Sequence, residues 1–161
     1  NTSQPIFFMF ENTRANAIFD HNTRDIRYAY QLSYGSRVPG LGYQRSSRKY
    51  AGIYSGSAGP MSVPLIRLAE MYLIVMECGN LEACNAAYTT FRTARNATIT
   101  PFTAAEDRTD RIMREYCRAF LGEGQVFFQY KRLAFEHMWF GAEPCGEEQY
   151  VLPLPETETN F

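Results

Sequence analysis

The sequence predicts a mainly α-helical fold of antiparallel helical hairpins, joined to a loop-rich portion with a few short strands. Two observations predict it. Apolar residues recur at helical spacing through most of residues 62–161, whereas residues 1–61 show short runs between stretches rich in Gly, Ser and Pro. We therefore treat residues 1–161 as one domain or fragment, with a loop- and strand-rich portion at 1–61 and a helical portion with an extended tail at 62–161.

The first portion contains two stretches that favour extended structure. Residues 6–10 are apolar, and from residue 26 to residue 34 every second residue is apolar or aromatic, which is the period of a half-buried strand. Gly, Ser and Pro between residues 38 and 60 predict a long irregular loop, and a loop of that length is often functional. That loop carries Tyr43, Tyr50 and Tyr54.

A helical hairpin is predicted next. Ser62 is suited to cap a helix over residues 65–78, and Pro64 is tolerated in its first turn. This helix is apolar nearly all round, which implies burial on more than one side. Gly79 in a left-handed conformation would end it before a second helix over residues 81–96. The pair has nearly the length of a tetratricopeptide repeat, so we expect a tetratricopeptide-like hairpin.

Two further helices and a tail follow. Thr103 and Glu106 have the spacing of a capping box for a third helix. Its predicted buried face consists of Ile112, Met113, Tyr116 and Phe120. Glycines at 122 and 124 predict a bend before a fourth helix over residues 125–135. Prolines at 153 and 155 then predict an extended tail over residues 150–155.

Composition and spacing count against several classes of function. The net charge of -1 is not that of a typical nucleic-acid-binding protein, so no nucleic acid is expected as a partner. No apolar run reaches the roughly 18 residues that span a bilayer. The four cysteines have no CxxC spacing and the two histidines stand apart, so we expect no metal and no cofactor. The pairing of the cysteines stays open.

Three segments, in this order, resemble the C-terminal part of the SusD/RagB family. Residues 63–74 are similar to a family helix with Arg, an apolar residue, Ala or Ser, and then Glu. Residues 114–133 are similar to a Glu-Arg-x-x-Glu-Leu-x-x-Glu-Gly run, and residues 150–160 resemble a Pro-x-Pro ending before an acidic residue and Asn. Asp25-Ile-Arg27 is a weaker match to an upstream Asp-x-Arg. Arg118 and Gln129 depart from the commoner residues, which leaves the subgroup open.

The resemblance implies a SusD-like C-terminal region of a surface lipoprotein in the bacterial outer membrane, with its lipid anchor outside this chain. It implies non-catalytic binding of a glycan or another nutrient, and delivery to a SusC-like TonB-dependent transporter. Further partners would be the glycan and the N-terminal remainder of the same protein. Because family members are several hundred residues long, we expect the first helix to leave apolar surface exposed. The alternative function is a tetratricopeptide-like interaction scaffold without a glycan site.

Aromatic side chains in loops are the candidate ligand contacts, because sugars present flat C–H faces that stack on aromatic rings. The candidates are Tyr43, Tyr50, Tyr54 and Trp139. Packing of the same rings into the core is the competing interpretation. A glycosidase would need two facing carboxylates. The sequence offers Glu115, Glu123, Glu147 and Glu148 but places no two in one cleft, so we expect no enzymatic activity. Charged residues such as Arg67 and Glu70 are interpreted as scaffold ion pairs.

Overall fold

The computed structural model describes residues 9–33, 36–49, 65–139, 141 and 143–151. The chain divides into two compact units, Asn1–Gly122 and Glu123–Phe161. The predicted mainly α-helical class is confirmed, because helices make up most of the regular structure in the described residues. The boundary predicted at residue 61 lies outside those residues and stays a prediction.

The first unit opens with a small antiparallel sheet and two short helices. β1 (Met9–Glu11) is followed by α1 (Asn12–Ile18) and α2 (Ile26–Gln31), and then by β2 (Ser36–Val38) and β3 (Gly42–Ser46). The strand order is β1-β3-β2, so β3 is central. The extended stretch predicted over residues 6–10 is confirmed where β1 overlaps it, and residues 6–8 lie outside the described part. The loop predicted over residues 38–60 is wrong where β3 forms.

The strand predicted over residues 26–34 is wrong, since α2 occupies Ile26–Gln31. The Asp25 carboxylate accepts a hydrogen bond from the backbone N–H of Arg27 at 2.9 Å, which caps this helix. In a helix, residues two apart point in different directions. Tyr28 is accordingly 7% exposed and Tyr30 is 76% exposed. The alternation in the sequence therefore does not mark one buried face.

The predicted helical hairpin is formed by α3 (Leu68–Cys78) and α4 (Leu81–Thr93). The Tyr72 ring, early in α3, lies 6.2 Å from the Phe91 ring, late in α4, so the helices are antiparallel. Ser62 and Pro64 lie outside the described residues, and α3 begins three residues later than predicted.

The turn between the two helices differs from the predicted left-handed cap. Gly79 has φ −74° and is extended, because the chain enters the next helix at once. There the Asn80 side chain caps α4 by accepting from the Ala83 N–H at 2.9 Å. The end predicted for α4 at residue 96 is also wrong. Asn96 has φ 52°, which a helix interior does not allow.

The third helix, α5 (Thr109–Ala119), begins six residues later than the predicted capping box. Glu106 accepts from the Thr103 N–H at 3.4 Å, but its carboxylate also pairs with Arg111 at 2.7 Å. The helix starts instead where Asp107 accepts from the Thr109 N–H at 2.9 Å. The predicted buried face is confirmed. Its four members, each at most 3% exposed, are Ile112, Met113, Tyr116 and Phe120.

The second unit contains α6 (Gln125–Arg132) and the short α7 (Glu147–Tyr150). The predicted glycine bend is confirmed, since Gly122 and Gly124 have φ of 76° and 78°. The predicted end of α6 at residue 135 is three residues too late. The Tyr150 hydroxyl donates to the Phe135 carbonyl at 2.7 Å, which joins α7 to the segment just after α6. The extended tail predicted over residues 150–155 is wrong at Tyr150, which is the last residue of α7, whereas Val151 is extended. Residues 152–155 lie outside the described residues. Among the residues that the structure describes, no helix is long and apolar enough to cross a membrane.

Candidate functional site

An exposed aromatic side chain stands on a β-hairpin of the first unit. β2, the turn after it and β3 form this element, which we call the Tyr43 hairpin (residues 36–46). Tyr43 is 62% exposed, whereas the neighbouring Gln44 is 7% exposed, as expected for side chains that alternate between the faces of a strand. Arg37 lies directly opposite Tyr43 in the register, so the two side chains share the exposed face.

The hairpin is fixed by contacts on both sides. At its tip, Gly40 and Gly42 adopt positive φ, and the buried Gln44 side chain donates to the Leu41 carbonyl. On β3, the guanidinium of Arg45 lies 4.7 Å from the Tyr28 ring centroid. It also donates to Asn12 Oδ1 at 2.6 Å and to a backbone carbonyl at 2.7 Å. These contacts join the hairpin to α1 and α2, so Tyr43 is presented on a supported element.

The other predicted ligand contacts are placed differently. Tyr50 and Tyr54 lie outside the described residues. Trp139 is half-buried in the second unit, and its backbone N–H donates to the Tyr130 hydroxyl at 2.8 Å. Tyr43 and Trp139 thus belong to different units. The role of these four aromatic residues as ligand contacts stays a prediction.

A second feature of the first unit is a group of charged side chains in its interior. We call it the buried charge cluster, and its members, each at most 6% exposed, are Asp25, Arg27, Arg92, Glu115 and Arg118. Glu115 is at the centre. One of its carboxylate oxygens accepts from Arg27 at 2.9 Å, and the other accepts from Arg118 at 2.7 Å and from Arg92. Three helices that are far apart in sequence meet here, namely α2 with its N-cap, α4 and α5.

Asp25, Arg118 and Arg92 make further hydrogen bonds. Asp25 accepts from Arg27 in a bidentate pair, with distances of 3.0 and 2.7 Å. Arg118 reaches the Ile18 carbonyl at 2.5 Å and the Asp20 carboxylate at 2.5 Å. The Arg92 Nε–H donates to the Thr98 carbonyl at 2.8 Å. Buried charges that are this fully paired serve structure, because removal of one partner would leave the others uncompensated.

The electrostatics of the cluster exclude Glu115 as a catalytic acid. Burial alone would raise the pKa of Glu115, but the charges of Arg27, Arg118 and Arg92 outweigh it and lower the pKa to about 2. A general acid needs a pKa near the working pH and access to substrate. Glu115 is ionised at neutral pH, 1% exposed, and has both oxygens occupied. Of the other carboxylates considered, Glu147 and Glu148 are exposed on α7.

The sequence contains only a weak sign of this cluster. Asp25-Ile-Arg27 is a short resemblance to a family pattern, and Glu115 is one of four carboxylates that sequence alone places in no cleft. Arg118 is a local i,i+3 partner of Glu115, but Arg27 and Arg92 lie 88 and 23 positions away, which no local pattern reveals. Of the residues interpreted as scaffold charges, Arg67 donates to the Ala119 carbonyl at 2.6 Å and lies 4.4 Å from the Phe120 ring centroid.

The cysteines and the possible metal ligands form no further site in the described residues. Within them, no group of three or more His, Cys, Asp or Glu side chains could hold a metal ion. The four cysteines all lie in this part of the chain, and no disulfide joins them.

One side of α3 is apolar and exposed, as expected from the sequence. We call it the α3 apolar face, and its members, 41–71% exposed, are Leu68, Met71, Ile74 and Val75. Leu65 and Ile66, just before the helix, are 86% and 76% exposed. The opposite side packs into the unit, where Leu73 and Met76 are fully buried. α3 thus has one apolar side packed within the unit and another that is exposed.

The first unit thus combines a helical hairpin, an exposed tyrosine on a β-hairpin and a buried, ion-paired glutamate. The sequence model of the SusD family matches residues 11–160, so this chain belongs to the SusD family. The resemblance seen in the sequence is confirmed, and the match spans all of its segments. Members of this family are non-catalytic proteins that bind nutrients such as glycans at the cell surface. No curated protein and no solved structure matches the chain.

Proposed function

We propose that this chain binds an oligosaccharide or another nutrient at the bacterial surface, without catalysis, for delivery to a SusC-like TonB-dependent transporter. The observation that carries the binding step is Tyr43, a ring 62% exposed on a supported hairpin. Membership of the SusD family supports the nutrient-binding class. The delivery step rests on the general mode of action of that family.

Tyr43 has the chemistry that glycan binding requires. Its ring offers a flat apolar surface to the C–H face of a sugar, and the hydroxyl can bond to sugar oxygens. A tyrosine has only two side-chain torsions, so ordering it on binding costs little entropy. Tyr50, Tyr54 and Trp139 remain further candidate contacts in this proposal.

The protein would act as a lipoprotein on the outer face of the outer membrane, with the anchor outside these residues.

In this proposal the α3 apolar face is covered by a helical segment of the N-terminal remainder of the same protein. Leu68, Met71 and Val75 repeat at i, i+3 and i+7, which is the spacing of a helix–helix contact. Such a contact would extend the helical hairpin into a longer stack.

Binding is tested by isothermal titration of the purified chain against a panel of oligosaccharides. We expect at least one glycan to bind. The Tyr43→Ala variant should weaken that binding by about tenfold, which corresponds to loss of one stacking contact. Tyr30→Ala is the matched control, because Tyr30 is 76% exposed and belongs to α2 and not to the hairpin, and it should leave affinity unchanged. Equal losses in both variants would contradict a specific site at Tyr43.

Two further measurements test the remaining steps. Release of reducing ends from a bound glycan would overturn the non-catalytic assignment. Co-purification of the complete protein with an outer-membrane β-barrel transporter would support delivery, whereas a complete protein that binds glycan and never associates with a transporter would contradict it.

The second candidate function is a protein-interaction scaffold, and the α3 apolar face favours it. In that case the complete protein would bind no glycan, and a charge on this face would abolish association with a protein partner. Met71→Glu provides the test, because Met71 is 41% exposed and its replacement should not disturb the interior. Loss of partner binding in Met71→Glu, together with no glycan binding by the unaltered chain, would replace the first proposal.

A further inference from the structure

The region around the Tyr43 hairpin has an unusual distribution of charge. Residues 26–69 contain no Asp or Glu, although the whole chain has seventeen acidic residues against sixteen basic ones. The same stretch contains six cationic residues, which are Arg27, Arg37, Arg45, Arg48, Lys49 and Arg67. A local excess of positive charge in a chain of nearly neutral net charge indicates an anionic partner for this region.

The arginines of the stretch have different partners. Arg27 belongs to the buried charge cluster and is neutralised by Asp25 and Glu115. Arg45 is directed to uncharged groups, namely an amide oxygen, a backbone carbonyl and the Tyr28 ring. Arg37 and Arg48 are exposed and have no carboxylate partner among the residues that the structure describes. Positive charge therefore remains available on the hairpin and just after it.

The pairing register of β2 and β3 places the charge of Arg37 beside the ring of Tyr43. Arg37 and Tyr43 are directly opposite each other on β2 and β3, where Cβ atoms of facing residues are about 5 Å apart. Arg45 lies two residues from Tyr43 and thus on the same face. The acidic residue of the adjacent strand, Glu11, faces Gln44 and so belongs to the other side of the sheet. Nothing acidic in this sheet faces Arg37.

We propose that the Tyr43 hairpin selects glycans that carry anionic groups, with Tyr43 stacked on a sugar ring and Arg37 paired with a carboxylate or sulfate of the ligand. This inference rests on the proposed glycan binding and adds the chemical class of the ligand. A guanidinium is suited to the task because its planar donors bond two oxygens of an oxyanion at once.

The experiment uses the purified chain and three glycan probes of similar length: polygalacturonate as the carboxylate, chondroitin sulfate as the sulfate, and a neutral galactan. We expect one or both anionic probes to bind at least about tenfold more tightly than the neutral one, and to weaken as salt is raised. The two anionic probes distinguish carboxylate from sulfate recognition. A single-stranded DNA oligonucleotide completes the panel, since nucleic acids also bind where cations adjoin aromatic rings.

Three variants connect the selectivity to Arg37. Arg37→Gln should remove most of the preference for the anionic glycan, and Arg37→Lys should keep part of it because the charge remains. Arg24→Gln is the matched control, since Arg24 is exposed and lies outside the acid-free stretch, and it should change nothing. Circular dichroism of each variant verifies the fold.

The outcomes separate this inference from the proposed function. Anionic selectivity is overturned if the neutral glycan binds with an affinity equal to or higher than that of both anionic glycans and Arg37→Gln has no effect. The proposal of glycan binding would then remain. Absence of binding to every glycan would overturn both. If the oligonucleotide binds as tightly as the anionic glycans, the hairpin recognises polyanions in general and the proposal of a glycan ligand is overturned.

Discussion

The buried charge cluster and the Tyr43 hairpin are both arginine-rich parts of the same unit, yet their arginines have opposite surroundings. In the cluster, Arg27, Arg92 and Arg118 converge on one buried carboxylate. On the hairpin, Arg37 is exposed beside Tyr43 and faces no acid. The comparison teaches that the partner, and not the residue type, separates an arginine that holds the fold from one that is available to a ligand.

The largest expected effect is that of Glu115→Gln. The change removes the carboxylate that compensates three buried guanidinium groups, so we expect destabilisation by roughly 3–5 kcal/mol. Urea unfolding measures it. Glu143→Gln is the control, because Glu143 is exposed and should cost less than about 0.5 kcal/mol. A cluster variant as stable as this control would show that the cluster contributes nothing to stability.

Acid should destabilise the protein through the same carboxylate. The folded-state pKa of Glu115 is lowered from 4.5 to about 2, so its contribution is fully present above pH 4.5. It is lost as the pH falls from 4.5 to about 2, and amounts to about 3 kcal/mol. Urea unfolding over this range is the measurement. A free energy of unfolding that stays constant between these pH values would contradict the assignment.

Arg45 lies between the two cases, because its partners are present but uncharged. Arg45→Lys should cost about 1 kcal/mol, since an ammonium group cannot make both of the hydrogen bonds and the stack on Tyr28. Thermal unfolding would show this as a small drop in Tm. Arg48→Lys, on an exposed arginine close by, should leave Tm unchanged. A cost for Arg45→Lys near that of Glu115→Gln would remove the distinction between charged and uncharged partners.

The smallest effect on stability is expected for Arg37→Gln. Its side chain is exposed, so the free energy of unfolding should stay within about 0.5 kcal/mol of the unaltered chain. Chemical unfolding of the variant provides this value alongside its binding data. A loss of several kcal/mol would mean that Arg37 belongs to the scaffold, and the comparison between the two regions would fail.

The features that the sequence predicts correctly depend on the residues of a single helix or turn. The buried face of α5 followed from helical spacing, and the bend before α6 followed from Gly122 and Gly124. The exposed side of α3 was also expected, because a helix that is apolar all round needs more than one neighbour. The family was visible in the order of its segments.

The features that the sequence predicts wrongly, or does not predict, mostly depend on contacts with residues elsewhere in the chain. The alternation from Ile26 predicts a strand, but α2 forms there because the Asp25 side chain caps a helix. The start of α5 was misplaced because Glu106 pairs with Arg111 in addition to its predicted role at Thr103. The buried charge cluster could not be predicted, since Arg27 and Glu115 are 88 positions apart. The pairing of Arg37 with Tyr43 depends on the register of a hairpin that was predicted as an irregular loop.

Hydrogen exchange of the chain, with and without a saturating glycan that it binds, tests the central claim most directly. The account predicts slower exchange of backbone amides in residues 36–46, around Tyr43, and no change in the part of α5 that surrounds Glu115. Protection confined to α5, or to the residues near Trp139, would contradict the separation of a binding hairpin from a buried charged scaffold.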